Sequence, residues 1–516
     1  MNYLGLRAIN RTPFRQGSVP TGTAYEVQLP RHSCSMWPRT HPRAYTNSTD
    51  DYFARLSVKT VIVLLDSIPN LNRVALGIRD NATQIRICIL TGHCDRCGYN
   101  SSRRRSIPTF CVHFESDTEQ QGMTDHNCTS EIPWETWDMD CNLLAYRLTL
   151  DLQTSLKSLV LTPTYPVRAL FERIRDLVVS IAASCTSHCI VCNKDLGCQV
   201  SRATSCYDPD CWDTFIFSWP LSVRLSPLLR DPSVLDLLLT LLMGDLETKV
   251  PPPGENPDDY ALTVEDMKAA INSFPAMHAG ITTAELIGSD PLWDNRRMVL
   301  EYMCYLFEGM LVPTPTDSEV TGMSVHQSFL LLNTNLDRQV EYEELQNGYG
   351  CSFAAFKGVP PHQLLECVWD GVNFKPECYY SNEPAKAAWY IPYRSRTPVD
   401  GGPDANNFNV LRGWRNSRYK NIAILLGLQV AGPARWDYAQ QEAKSPEAEV
   451  MVRYLFLLPA RIVKDMGTVG EDLLWGFNWV NGSSVTPKME ETFQKIQDGR
   501  LIKEVLADAR SSQASN

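Results

Sequence analysis

No stretch of this chain is both long and apolar enough to read as a bilayer-spanning helix. The longest aliphatic run, Val234 to Met243, carries Asp236 within it and falls short of the roughly 20 residues that a spanning helix requires. The opening Met1-Asn2-Tyr3-Leu4-Gly5-Leu6-Arg7 lacks the apolar core of about seven or more residues that marks a secretory signal. Membrane partners are therefore not expected, and the expected compartment is the cytoplasm or nucleus. Asn47-Ser48-Thr49 and Asn81-Ala82-Thr83 then carry no glycan. Basic charge is scarce as well. Lys and Arg number 48 against 59 Asp and Glu, a net charge of −11. A free-standing nucleic-acid binder needs a strongly basic face to neutralise phosphates, so nucleic acid is not an expected partner either. The dense basic run Arg103-Arg104-Arg105 follows Asn100-Ser101-Ser102 and reads as a solvated loop. No segment repeats.

What is present suits a protein that buries real cores. The chain has 516 residues, 44% hydrophobic and 21% charged, a length that suggests about three domains. Residues 1–30 are polar and irregular and read as a loose terminus. Residues 31–160 read as a strand-rich domain, because Val58–Leu65 and Ile85–Leu90 are β-branched runs separated by Asn and Asp turn signals. Residues 161–250 form a helical and cysteine-rich module. Leu170, Ile174, Leu177, Val178 and Ile181 follow a helical period, and Asp231-Pro232 opens a leucine-rich helix. The proline-rich stretch 251–260 is a linker. From 261 to 470 helices starting at Thr263 and at Asp290-Pro291 precede a strand-rich stretch beginning near 328, and 471–516 ends in an amphipathic helix over Thr486–Ala509.

In a reducing compartment clustered cysteines read as metal ligands rather than disulfides. Cys189 and Cys192 form one close pair, and Cys206 and Cys211 form a second across a loop. Two close pairs are how four thiolates reach the corners of a tetrahedron around zinc. Cys185, His188 and Cys198 lie close enough in sequence to substitute. Four thiolates leave no open coordination position, so the expected zinc is structural, supplying on the order of 10 kcal/mol of folding free energy. Cys94-Asp95-Arg96-Cys97 is a second half-site, with His93, Cys111, His113 and Cys128 in the same domain but no clean second pair.

The segment Phe356-Lys357-Gly358, then Gly371, then Cys378-Tyr379-Tyr380-Ser381, resembles the catalytic domain of the poly(ADP-ribose) polymerase family of ADP-ribosyltransferases. That family carries a strand ending in His-Gly, a helix closed by Gly, and a Tyr-Phe-Ser strand. Ile424–Gly432 and Val450–Leu457 resemble its later core strands. The text from Trp219 to Pro232 resembles the region that precedes the transferase domain in the fungal and mono-ADP-ribosylating branch. The resemblance implies an α+β protein with a split antiparallel sheet in its C-terminal domain, across which NAD lies. It also implies an activity, mono-ADP-ribosyl transfer from NAD to a protein target.

Residue by residue, the resemblance assigns Gly358 to the nicotinamide carboxamide, Tyr379 to one face of the nicotinamide ring and Tyr390 to the other. Lys357 stands where the family has its ribose-binding His, and Ala387 where it has a carboxamide-binding Ser. The glutamate that stabilises the positive charge developing as nicotinamide leaves falls near Gln441 or Glu442, and Glu442 is the candidate. The text around it, 439–446, lacks the usual apolar strand. A charged Lys357 about 5 Å from the cationic nicotinamide, at an effective dielectric near 20, would cost about 3 kcal/mol, or about a hundredfold in affinity. The expected enzyme is thus partly degenerate, and the alternative is a pseudoenzyme that binds or scaffolds.

Overall fold

The computed structural model describes residues 60–65, 68–78, 82–90, 109–115, 143–144, 146–148, 151, 167–248, 262–320, 325, 327–369, 377–388, 411–433, 442–459, 482–498 and 500–501. The chain divides into two units. One comprises Met1–Arg230 with Pro257–Ala261 and Gly280–Gly288; the other comprises Asp231–Asn256, Leu262–Ala279 and Ser289–Asn516. The leucine-rich helix, grouped by sequence with the cysteine-rich module of 161–250, belongs to the second unit. Residues 280–288, grouped by sequence with the C-terminal domain, belong to the first.

In the first unit β1 (Thr60–Leu64), β2 (Gln84–Leu90) and β3 (Thr109–Glu115) form an antiparallel sheet in chain order, with Leu64 opposite Gln84 and Leu90 opposite Thr109. Helix α1 (Asn70–Ala75) connects β1 to β2. Its Asn72 donates to the carbonyls of Ala182 and Ala183 at the end of α2 (Val167–Ser184). The helical period read from the sequence is the one that packs: Ile174, Val178 and Ile181 are buried, while Glu172, Arg173, Arg175 and Asp176 face solvent. Helices α3 (Pro209–Asp213) and α4 (Leu221–Leu229) follow, joined by a π-helical turn over Thr214–Ser218.

The second unit is α+β, with one antiparallel sheet of seven strands in the order β4-β5-β10-β8-β6-β7-β9. The strands are β4 (Met310–Pro313), β5 (Gln327–Asn333), β6 (Ser352–Gly358), β7 (Glu377–Ser381), β8 (Ile422–Ala431), β9 (Glu442–Pro446) and β10 (Val450–Pro459). Every residue of β8 is buried. That explains why Ile422–Ala431 reads as a continuous apolar run rather than an alternating one. By contrast β9 alternates, with Ala443 and Ser445 buried and Lys444 exposed, as an edge strand should. Residues 439–446 lack the usual apolar run; a short alternating edge needs none, and β9 forms over Glu442–Pro446.

The helices of this unit are α5 (Pro232–Thr248), α6 (Val264–Ser273), α7 (Trp293–Leu306), α8 (Leu336–Tyr349), α9 (Pro361–Trp369), α10 (Pro384–Ala388) and α11 (Gly482–Gln497). Thr263 caps α6 by accepting from the Asp266 amide at 3.1 Å, as its sequence signature indicated. The helix expected from Asp290 begins at Trp293 instead, because the Asp290 carboxylate accepts from the Leu292 amide and pairs with Arg296 at 2.6 Å. Nor is the C-terminal helix a detached tail. The Phe493 ring lies 6.2 Å from that of Tyr454, and Glu490 accepts from the Ala354 amide of β6 at 3.1 Å. A Cβ added at Gly427 would come within 2.7 Å of Met489 and 2.8 Å of Tyr454. Glycine there is what lets α11 lie this close to the sheet.

Among the described residues no helix is long and apolar enough to cross a membrane.

Candidate functional site

The residues that the sequence singled out fall in two places, one in each unit. In the first unit, the chain leaving α2 turns sharply. The Cys189 amide donates to the Lys194 carbonyl at 2.8 Å, the Asn193 amide donates to the Cys189 carbonyl at 2.9 Å, and the main chains of His188 and Asp195 form an isolated β-bridge. Asn193 takes the left-handed conformation the turn needs, with φ 62°, which Asn tolerates better than most residues. The Ile190 amide donates to the Thr204 carbonyl and so draws the second cysteine segment alongside. Asp208 caps α3 by accepting from the Asp210 amide, which places Cys211 in the first turn of that helix.

The result is a cluster. The sulfurs of Cys189, Cys192, Cys206 and Cys211 all lie within 4.8 Å of one another, and those of Cys192 and Cys206 are 3.8 Å apart. A tetrahedral thiolate site with metal–sulfur bonds of about 2.3 Å spaces its sulfurs by about 3.8 Å, so the quartet is dimensioned to hold a metal ion. The Cys189 sulfur also accepts from the amides of Val191, Cys192 and Cys206 at 3.4, 3.5 and 3.2 Å. Burial, then the neighbouring thiols of Cys192 and Cys206, push Cys211 above the ordinary thiol range. At Cys192 burial also works upward but is outweighed by hydrogen bonds from the Lys194 main chain and the other three thiols, which bring it below that range. Four crowded sulfurs resist losing four protons unless a cation compensates their charge.

Geometry also chooses among the sequence candidates. Cys185 is buried, its thiol donating to the Ala182 carbonyl of α2 at 3.4 Å and lying near the Asn72 carbonyl of α1, and burial pushes it up to about 12. His188 shares a hydrogen bond of 2.8 Å with Ser187 through Nδ1. Cys185, His188 and Cys198 all stand outside the quartet. Spacing gave no sign of Arg147, whose guanidinium donates to the carbonyls of Ile190 and Val191 inside the turn while pairing with Asp151 at 2.9 Å. It lies 43 residues from Ile190, so no local pattern could reveal it. Of the second half-site, Cys111 and His113 lie on β3, while His93, Cys94, Cys97 and Cys128 lie outside the described residues.

In the second unit β6, β7 and β9 lie side by side. Strands β6 and β7 share a single ladder pair, Phe356 opposite Ser381, and β9 pairs with the whole of β7, with Tyr379 opposite Lys444 and Ser381 opposite Glu442. Across the three strands Phe356, Ser381 and Glu442 form one row, and Tyr379 faces Lys444 across β7 and β9. Tyr379 is 56% exposed on this face, whereas Tyr380 on the other is buried and shares a hydrogen bond of 2.9 Å with Ser445 across β7 and β9.

Lys357 sits where β6 and β7 part, and its ammonium donates to the Tyr379 carbonyl at 2.7 Å. Ser381 accepts from the Glu383 amide and so leads into α10, on which Ala387 is buried. The structure thus brings Lys357 to Tyr379, places Gly358 at the end of the neighbouring strand β6, and sets the Glu442 main chain one strand beyond β7. The Glu442 side chain, together with Gly371, Tyr390 and Gln441, lies outside the described residues. The resemblance offered no hint of Lys444, which becomes a neighbour of Tyr379 only through the β7–β9 register. No protein-family model matches this chain, and a search of curated proteins finds no match.

Proposed function

We propose that the chain is a divergent ADP-ribosyltransferase of the poly(ADP-ribose) polymerase type, joined to a structural zinc module. The reaction it would carry is transfer of a single ADP-ribose unit from NAD to a protein. The observation that supports this reading most directly is the order β6-β7-β9. Three segments that the resemblance assigns to one nicotinamide site, bearing Gly358, Tyr379 and Glu442, are neighbours in a sheet although up to 84 residues apart. In this reading the exposed Tyr379 ring stacks on nicotinamide, the Gly358 main chain meets the carboxamide, and Glu442 stabilises the charge that develops as nicotinamide departs.

Zinc is the metal this reading gives the four cysteines, because a closed all-thiolate tetrahedron suits it and leaves no position for a substrate. Cys189, Cys192, Cys206 and Cys211 would hold it, and bound there it supplies folding energy rather than catalysis.

A second reading, a pseudoenzyme on the same fold, is favoured by one observation. The Lys357 ammonium bonds the Tyr379 carbonyl where the family has a neutral ribose-binding side chain, and the buried Ala387 replaces a hydroxyl.

Calorimetry of the full chain with benzamide, a neutral nicotinamide mimic, tests the site. Tyr379→Ala is expected to weaken binding by about 1–3 kcal/mol, the loss of one aromatic stack. Equal affinity in parent and variant would mean that the ligand lies elsewhere.

A further inference from the structure

Oxidants attack a cysteine that is exposed and lies beside a second thiol able to resolve the first product, whereas buried structural cysteines stay inert. The metal quartet meets both conditions at one corner. Cys192 is exposed, while Cys189, Cys206 and Cys211 are buried. The Cys192 sulfur lies 3.8 Å from that of Cys206. A disulfide needs that separation to shrink to about 2.05 Å. The movement falls to a surface turn, since Asn193, Lys194 and Asp195 after Cys192 are exposed as well. Cys189 is instead held in place: it is 2% exposed, and its sulfur accepts from the amides of Val191, Cys192 and Cys206.

We propose that Cys192 is an oxidant-sensing modification site, which hydrogen peroxide converts to a Cys192–Cys206 disulfide with release of the metal. The proposal rests on the zinc reading of the quartet and adds a reversible opening to it. In the first step the Cys192 thiolate attacks one peroxide oxygen; an S–O bond forms, the O–O bond breaks and hydroxide leaves. The Cys206 thiolate then attacks the Cys192 sulfur; the S–S bond forms, the S–O bond breaks and a second hydroxide leaves. The two thiolates together give up two electrons, the peroxide takes both, and solvent protons neutralise the two hydroxides. Cys189 and Cys211 then offer two ligands where a structural site needs four. The turn after α2 is no longer tied through the metal to Cys211 of α3.

The test uses full-length protein purified without chelator, hydrogen peroxide as the oxidant and a chromogenic zinc chelator as the readout. Peroxide is expected to release the zinc with loss of two free thiols per ion, and peptide mass spectrometry should find Cys192 linked to Cys206. Dithiothreitol with added zinc should restore both the thiols and the metal. Cys192→His keeps a zinc ligand but removes the nucleophile, and should slow release by about tenfold or more. Cys198→Ser, outside the quartet, should release zinc as the parent does. Should Cys192→His fail to hold metal, the peptide map of the oxidised parent decides by itself. Metal-free parent protein would remove the zinc reading and this inference with it. Zinc that stays bound under peroxide, release without a disulfide, or a disulfide joining another pair would each overturn the inference and leave the zinc reading standing. Release from Cys192→His at the parent's rate, or metal that dithiothreitol and zinc do not restore, would overturn it equally.

Discussion

The Lys357 ammonium donates to the main-chain carbonyl of Tyr379 at 2.7 Å, bridging two strands that share a single ladder pair. A side chain thus supplies a cross-strand hydrogen bond where backbone pairing has run out. The same bond fixes a cation at the main chain of Tyr379, and that charge sets the first prediction.

Incubation of the parent with labelled NAD should give little or no automodification. Lys357→His should raise affinity for NAD by up to about a hundredfold, the factor that matches removal of about 3 kcal/mol of charge repulsion. A parent that labels itself efficiently, and loses that labelling in Lys357→His, would show instead that the lysine has taken over the histidine's role.

Metal analysis of protein purified without chelator should find about one zinc per chain. The double change Cys189→Ser and Cys192→Ser should abolish it and loosen the fold around the cluster, since metal binding of this kind is folding free energy. Cys185→Ser and Cys198→Ser should keep the metal, because their sulfurs stand outside the quartet. Metal-free parent protein would remove the zinc assignment, and metal lost in Cys185→Ser would redraw the ligand set.

Two glycine substitutions should separate in sign. Gly427→Ala forces a Cβ within 2.7 Å of Met489 and 2.8 Å of Tyr454 and should destabilise by about 1–3 kcal/mol, the cost of overpacking a filled core. Gly348→Ala, on α8 with nothing within 4 Å of the added carbon, should stabilise by about 0.5–1 kcal/mol through helix propensity. Denaturant titration of the two variants measures both. An unchanged midpoint for Gly427→Ala would mean that α11 does not lie on β8 as described.

Asp236 on α5 is buried and accepts from Trp414 Nε1 at 2.9 Å, from the Ser417 hydroxyl at 2.5 Å and from the Arg418 amide at 3.1 Å. Burial raises its carboxyl above the ordinary range, although these bonds and the Arg418 charge pull it down. A carboxyl raised in the folded state stabilises fully below its unfolded value and loses that contribution as pH climbs through the folded one. The stability of the parent relative to Asp236→Asn, whose side chain does not titrate, should therefore decline as pH rises from acid towards neutral. Thermal melts across that range measure the difference, and an advantage that grows with pH would show the ionised carboxylate to be the form the fold prefers.

The features legible in the sequence were local ones. Helical period marked α2, a capping threonine marked α6, and the paired spacing of Cys189/Cys192 and Cys206/Cys211 marked the cluster, because each depends on residues a few positions apart. The motifs around Gly358 and Tyr379 marked two strands for the same reason. Tertiary structure alone decided the rest. It excluded Cys185, whose sulfur is turned onto α2, and it brought in Arg147 from outside any local pattern. It made a strand of 442–446, where only alternation against β7 distinguishes an edge from a loop. Above all it set Lys444 opposite Tyr379. Cross-strand neighbours depend on register between segments distant in the chain, and a slip of one residue turns every side chain to the opposite face. Which side chains flank Tyr379 is a property of that register.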